Sequence, residues 1–589
     1  MLYTTRTLLA PRYGWSSRVQ SATLAFWAVA LLAHARVVHS QDASGQRTSV
    51  QAATSRALPG VLPRMTLPPS DLVAASDRIF APWNSTTSPG CAVGVARGGT
   101  VLLERGYGMA DLAGARAITP ATVLESGSVA KQFTATAVLL LAADGKLSLD
   151  ADARTWLPEL PVYDRPITVR HLLTHTSGLR EWSNLVAWQG WPRGTRVHTQ
   201  PDVFALITAQ RALNYPVGAH YSYTNSGFLL LRTLVERVAG QSFSDFTRRR
   251  IFEPLGMQHT AWRDDYTRVM PGLAQAYRRV GNDWRLDMPF DHIIAAGGLW
   301  TTVGDWLRWN EALTTKALGS AVTDSLTRRM RLNNGLEIAY ALGLTVERYR
   351  GTTEIGHSGS TAGYSTYLAR YPELNNLSIA VLCNAAGASA TAYTHALVDA
   401  LHPELPRTTA PDTLPLDVPA LLRWRGLYED TRWHSVTRLD TIRGVLRLGE
   451  APLRALADGT LQSGNLRVRP SMDSDGRTPT LRFVTSDGDS VVWRHRAEQP
   501  WTPTATELAS LTGRYHSDEI GSTFTVSVRG DRLIMSPRAG VERMLTPTFR
   551  DAFASPGEAV WFTRDRRGRV TAMHLGASRA WDFVLTRLP

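Results

Sequence analysis

Three short stretches of this chain combine residue types that can run nucleophilic chemistry. Ser128-Val129-Ala130-Lys131 sets a hydroxyl and an amine three residues apart, on one face if the segment is helical. A serine at a helix start has its backbone N–H unpaired and faces the positive end of the dipole. Desolvation lowers the pKa of a neighbouring lysine, and the neutral amine can then take the serine proton. Lys131, Lys146 and Lys316 are the only lysines, so chance predicts about 0.2 Ser-x-x-Lys pairs at ordinary serine frequency. The second stretch is Tyr223-Thr224-Asn225, within YSYTNSGFLLL. Residues two apart on extended chain point the same way and would offer a phenol and an amide to one cleft. The third is His357-Ser358-Gly359-Ser360, where Gly356 and Gly359 suit a backbone that a substrate approaches closely.

Competing chemistries lack their residues. There is no G-x-S-x-G elbow, which disfavours an α/β-hydrolase. His171 and His175 are spaced i, i+4 but without the glutamate of H-E-x-x-H, so no metal is expected. No phosphate loop or dinucleotide fingerprint stands in a strand–helix context, so no cofactor is expected. Cys91 and Cys383 each fall in a short apolar run that reads as a strand. Cross-strand bridges are geometrically demanding, and free thiols are expected. A single bridge is the alternative in an oxidising compartment.

The elements that must position these residues follow from the patterning. Gly90 to Arg97 and Thr100 to Tyr107 read as strands joined at Gly98-Gly99, a hairpin signal. Ser128 to Ala143 reads as a continuous apolar helix, ended by Asp144-Gly145. Thr361 to Arg370 and Leu377 to Asn384 return to strand character. Strands at both ends with helices between predict an antiparallel sheet closed by the two extremities, with a helical lobe. Pro406 to Pro419 is proline-rich and reads as a linker. Beyond it, Gly426-Leu427-Tyr428 matches Gly513-Arg514-Tyr515 and Arg443-Gly444 matches Arg529-Gly530. Two copies of roughly four strands each predict one eight-stranded barrel, separate from the hydrolytic site.

In their order along the chain, Ser-x-x-Lys, Tyr-x-Asn and His-x-Gly resemble the serine β-lactamase and penicillin-binding family. Within it the match is to the branch of class C β-lactamases, DD-peptidases, D-aminopeptidases and related esterases. The segments PGCAVGVARGG, ERGYGMADL, ITVRHLLTHTSGL (Ile167 to Leu179) and AAGGLWTTVGDW (Ala295 to Trp306) extend the resemblance over Pro89 to Asn384. It implies an α/β fold: a β-lactamase/transpeptidase-like sandwich of antiparallel sheet and helical lobe, then an all-β C-terminal barrel resembling lipocalin-like domains. The expected boundaries are a signal peptide at 1–40, a linker at 41–69, the hydrolase domain at 70–405, a linker at 406–418 and the barrel at 419–589.

Carried over by motif, Ser128 would be the acylated nucleophile and Lys131 its proton acceptor. Tyr223 would relay the proton, and Asn225 would hold Lys131 or the substrate amide. The backbone N–H groups of Ser128 and Ser360 would form the oxyanion hole, with Ser358 and Gly359 beside them on the substrate. His357 stands where β-lactamases of this branch carry lysine and resembles the peptidase and esterase members. Ser358 replaces the usual threonine, which weakens the expectation of a substrate carboxylate held there. His175 belongs to a structural segment of the family. The resemblance implies a serine hydrolase acting on small amides or esters, D-amino-acid peptides first and short-chain esters next. The alternative is a penicillin-binding-type sensor that acylates without efficient turnover, or a weak β-lactamase.

Composition is ordinary for a soluble globular protein, at 43% hydrophobic and 20% charged residues. Of the net charge of +13, four charges (Arg6, Arg12, Arg18, Arg36) lie in the first forty residues. The remainder is spread thinly, with no basic run to follow a phosphate backbone, so no nucleic acid is expected. Ala22 to Ala33 has the length of a signal h-region, with small-residue cleavage sites following it. A periplasmic or secreted location follows. The expected partners are a small-molecule or short-peptide substrate and, loosely, anionic envelope polymers; no obligate protein partner is expected.

Overall fold

The computed structural model describes residues 69–407, 413–463, 466–474, 476–484 and 490–589. The signal segment, its cleavage sites and the stretch from Gln41 to Pro68 lie outside the described residues, as does the centre of the second linker. The described chain forms two compact units. One falls within 42–411, 505–544 and 562–589, the other within 412–504 and 545–561.

The larger unit is built on an antiparallel sheet of six strands. Its strands are β1 (Cys91–Arg97), β2 (Thr100–Tyr107), β6 (Thr345–Tyr349), β7 (Thr352–Thr361), β8 (Tyr364–Tyr371) and β9 (Leu377–Cys383), in the order β6-β7-β8-β9-β1-β2. The expected closure by the two ends of the domain is the β1–β9 pair. Strands β3 (Leu124–Glu125), β4 (Ala261–Trp262) and β5 (Leu299–Thr301) form a small separate sheet. The β1–β2 turn is Gly98-Gly99, with φ of 52° and 76°. Two successive left-handed residues are what a two-residue hairpin turn requires.

Strand β1 shows why its sequence is apolar throughout. Cys91, Val93 and Val95 lie in a core with Leu72 and Phe80 of α1 (Pro69–Phe80) and Leu397 and Val398 of α5 (Ala390–Leu401). The alternate face carries the small residues Ala92, Gly94 and Ala96. A side chain at Gly94 would meet Val303 and Leu307 of α4 (Val303–Thr315) at 3.1 Å. Both faces of the sheet are therefore covered by helices, and strands buried on both faces read as continuous apolar runs.

The helical lobe is centred on α2 (Lys131–Ala143), in which every residue from Lys131 to Leu141 is buried. A helix apolar all round is a central helix. It packs against α3 (Asn225–Ala239). The helix starts three residues later than the sequence pattern predicts. Ser128 sits instead in a 3-10 turn, Gly127–Ala130, that leads into it.

The cysteines depart from expectation. Cys91 and Cys383 are directly opposite in the β1–β9 register, and they form a disulfide. Opposed residues on antiparallel strands share a face. The bridge ties the first strand of the sheet to its last across 292 residues of sequence.

The C-terminal repeat is present, but each copy closes its own barrel. Eight strands from Gly426–Asp430 to Ser490–Ala497 close through a pairing between Ala451–Leu456 and Leu461–Ser463. Eight more, from Gly513–Ser517 to Ala580–Arg587, form the second barrel. The copies share local detail. The Tyr428 hydroxyl donates to the Trp424 carbonyl at 2.6 Å, and that of Tyr515 to the Leu511 carbonyl at 2.7 Å. A single shared barrel fails as a reading because strands of three to nine residues on tight turns fit eight into one repeat.

Candidate active site

Ser128 is held out by the backbone before it. Gly127 has φ of 53°, and a side chain there would stand 2.5 Å from the Ser360 nitrogen. A side chain on Gly359 would meet the Ser126 carbonyl at 2.1 Å. Only glycine lets the Ser128 turn and strand β7 approach this closely, which brings the Ser128 and Ser360 backbones face to face.

Lys131, wholly buried, enters α2 one turn on. Its Nζ lies 3.1 Å from Ser128 Oγ, 2.8 Å from Asn225 Oδ1 and 2.8 Å from the Ala296 carbonyl. Burial drives its pKa well below the ordinary lysine value; Glu181 acts the other way, with Arg579 and Arg193 adding to the depression. Of the three partners, the Ala296 carbonyl and Asn225 Oδ1 can only accept. Asn225 is oriented by Glu181, whose Oε1 takes its Nδ2 at 3.0 Å and whose Oε2 takes its backbone N–H at 2.5 Å. Ser128 alone can donate. A neutral Lys131 amine has two N–H donors for the two obligate acceptors and a lone pair free to take the Ser128 proton.

Tyr223 lies beside this pair, its ring centroid 4.8 Å from Lys131 Nζ. Its hydroxyl is buried and completes no hydrogen bond among the described residues. Burial raises its pKa, and the neighbouring Ser128 hydroxyl works against that rise. Thr224 caps α3, accepting from the Ser226 N–H, so Asn225 begins the helix at the level of Lys131.

His357 lies on β7 in the same group of rings as Tyr223. Its Nε2 pairs with the Tyr340 hydroxyl at 3.1 Å and its Nδ1 with the Ser358 carbonyl at 2.5 Å. Its ring stands 6.1 Å from that of Tyr223. The contact runs through the aromatic cluster, in which the His175 ring lies tilted with its centroid 4.2 Å from that of Tyr223 and accepts from the Thr224 N–H at 3.2 Å. Ser360 lines the open cleft with Ser128 and Asn225. Ser358 and Gly359 do not line it; Gly359 serves as the close-approach point.

Several groups here went unnoticed in the sequence. Glu181 follows the ITVRHLLTHTSGL run by two residues but carries no motif. Ala296 belongs to the AAGGLW segment, where Ala295 holds φ of 84° and its carbonyl accepts from Thr134 at 2.8 Å. Glu125 is buried, with one oxygen taking the Gly298 N–H at 2.7 Å, and burial raises its pKa to about 7.

None of the candidate catalytic groups lies beyond Ser360, but a residue of the second barrel stands beside one of them. Arg579, in the turn between Val570–Ala577 and Ala580–Arg587, lies 5.0 Å over the Tyr223 ring. Its carbonyl accepts from the Glu181 N–H and from Asn214, both at 3.0 Å. The second barrel's turn is thus anchored on the segment that orients Asn225.

Comparison with known proteins agrees with this geometry. The family described as Beta-lactamase matches residues 75–402. The chain is 27% identical over 532 residues to a D-aminopeptidase of Cereibacter sphaeroides strain KD131, covering 88% of this chain and 95% of the relative. It is 25% identical over 555 residues to a D-aminopeptidase of Brucella melitensis, covering 89% and 100%. Among solved structures, the octameric penicillin-binding protein homologue from Pyrococcus abyssi matches with a TM-score of 0.50 at 20% identity, over 80% of this chain and 98% of that one.

Proposed function

The chain belongs to the β-lactamase family, and on that premise we propose an exported serine hydrolase that cleaves small D-amino-acid amides and peptides, and short-chain esters, through an acyl-enzyme on Ser128. The observation that carries this reading is the Lys131 amine, buried between two obligate acceptors and the Ser128 hydroxyl. Ser128 Oγ attacks the carbonyl carbon while its proton passes to Lys131 Nζ. The developing oxyanion is received by the Ser128 and Ser360 N–H groups. Tyr223, next to both, relays the proton to the leaving nitrogen or oxygen. Water then attacks the acyl carbon by the reverse relay and frees Ser128. His357 acts through Tyr340 and the ring cluster, keeping Tyr223 in place. The substrate class draws support from the D-aminopeptidase relatives, which align along nearly their whole length.

A turnover screen of D-alanyl p-nitroanilide, its L-enantiomer, p-nitrophenyl acetate and a chromogenic cephalosporin tests the reading. The expected result is multiple turnovers on the D-amide and the ester, with the cephalosporin slowest. A stoichiometric burst without turnover on all four would establish a sensor instead.

Export is supported by the Ala22 to Ala33 segment and by the Cys91–Cys383 bridge, since disulfides persist in oxidising compartments. N-terminal sequencing of secreted material is expected to begin near Arg36 or Gln41. A full-length membrane-bound product would show an uncleaved anchor.

A further inference from the structure

The cleft beside Ser128 holds two arginines of unequal status. Arg193 is committed: its Nη2 pairs with Asp291 at 2.6 Å and its Nε with the same carboxylate oxygen at 2.9 Å. Arg263 is not. Its guanidinium stacks 5.3 Å from the Trp300 ring, and Nη2 donates to the Tyr266 carbonyl. Among the described residues no carboxylate forms an ion pair with it, and its buried Nε finds no acceptor. Burial lowers its pKa, opposed by Tyr364 and Asp265, and Asp265 itself is engaged with Thr267 and His292. Glu125 faces the same cleft, buried and turned onto the Gly298 N–H.

A guanidinium carries five N–H donors in a planar fork that matches a carboxylate. Here the fork is held by a ring and a backbone carbonyl, on the wall of the cleft that holds Ser128. The cleft therefore presents a guanidinium that has no ion-pair partner among the described residues.

We propose that Arg263 receives a carboxylate of the substrate, so that among the amides, peptides and esters of that reading those carrying a carboxylate are preferred. This rests on the hydrolase reading above and narrows its substrate class. The preference is a specificity, acting through binding beside the acylated serine and taking no part in proton transfer.

Two substrate sets test it. The p-nitroanilides of N-succinyl-, N-acetyl- and free D-alanine vary charge on the acyl side. Acetyl-D-alanyl-D-alanine and its C-terminal amide vary it on the leaving side. In the intact protein kcat/KM is expected to favour the anionic member of at least one set by about ten- to hundredfold. Arg263→Gln should collapse that ratio, Arg263→Glu should invert it, and Arg263→Lys should keep part of it because a charge without the fork remains. A ratio within twofold in both sets, or one unchanged in Arg263→Gln, overturns the proposal. So does a preference for the free amine. Labelling of Ser128 by a neutral fluorophosphonate and turnover of p-nitrophenyl acetate separate the two levels. If the intact protein does both but shows no charge preference, this inference alone falls; if it does neither, the hydrolase reading falls and takes this one with it.

Discussion

Ser128→Ala is expected to reduce turnover of every substrate the intact protein hydrolyses by roughly 10⁴-fold or more, the scale on which nucleophile removal acts. Among the described residues no other hydroxyl hydrogen-bonds to Lys131, whose partners there are Ser128, Asn225 and a carbonyl. The fold should persist. The Ser128 side chain caps no helix, and losing its hydroxyl leaves Lys131 with two of its three partners. A change of about 1 kcal/mol in stability is the scale for one such hydrogen bond, and thermal unfolding would detect it. A fluorophosphonate should label the Ser128 peptide in the intact protein and nothing in the variant. Residual activity within a hundredfold of the intact protein, or a label on another peptide, would place the nucleophile elsewhere.

Lys131→Met should lower kcat by about 10²- to 10⁴-fold, the range for removing a general base, while leaving the protein as stable or more so. The stability half follows from burial: a wholly buried amine with a depressed pKa opposes folding at neutral pH. Between its folded pKa and the ordinary lysine value, the unfolded chain binds a proton that the folded chain does not. Stability therefore rises with pH across that window, and the group's contribution is lost as pH falls through the folded pKa. The methionine variant should lack this slope. Activity carries the same sign, because only the neutral amine accepts the Ser128 proton, so kcat/KM should fall on acidification through that pKa. A methionine variant retaining full kcat, with an unaltered acid limb, would remove Lys131 from the mechanism.

Local patterning determined a good deal of this protein. Ser128 and Lys131 are three residues apart, and helical geometry at such a spacing needs no distant information. The strands at both ends of the hydrolase domain were legible because each is a short apolar run between turns. The Gly98-Gly99 hairpin followed from the only residue type that accepts two left-handed positions cheaply. The Gly-x-Tyr repeat was equally visible, since its signal is composition at a fixed offset.

What the chain does with those pieces was decided in three dimensions. The Lys131 pKa depends on burial and on charges 50 and 448 residues away, those of Glu181 and Arg579, and no local period records them. Glu181 orients Asn225 across 44 residues from a position without a motif. Free thiols are the expectation because cross-strand bridges are geometrically demanding, and the register, which sets Cys91 directly opposite Cys383, decides for the bridge. One barrel became two because closure depends on how many strands a repeat yields and which edges meet. Arg579 over Tyr223 and Arg263 beside Ser128 come from segments that patterning reads as ordinary arginine-rich surface. Electrostatic environment is a sum over whatever the fold brings within a few ångströms, and sequence separation does not enter that sum.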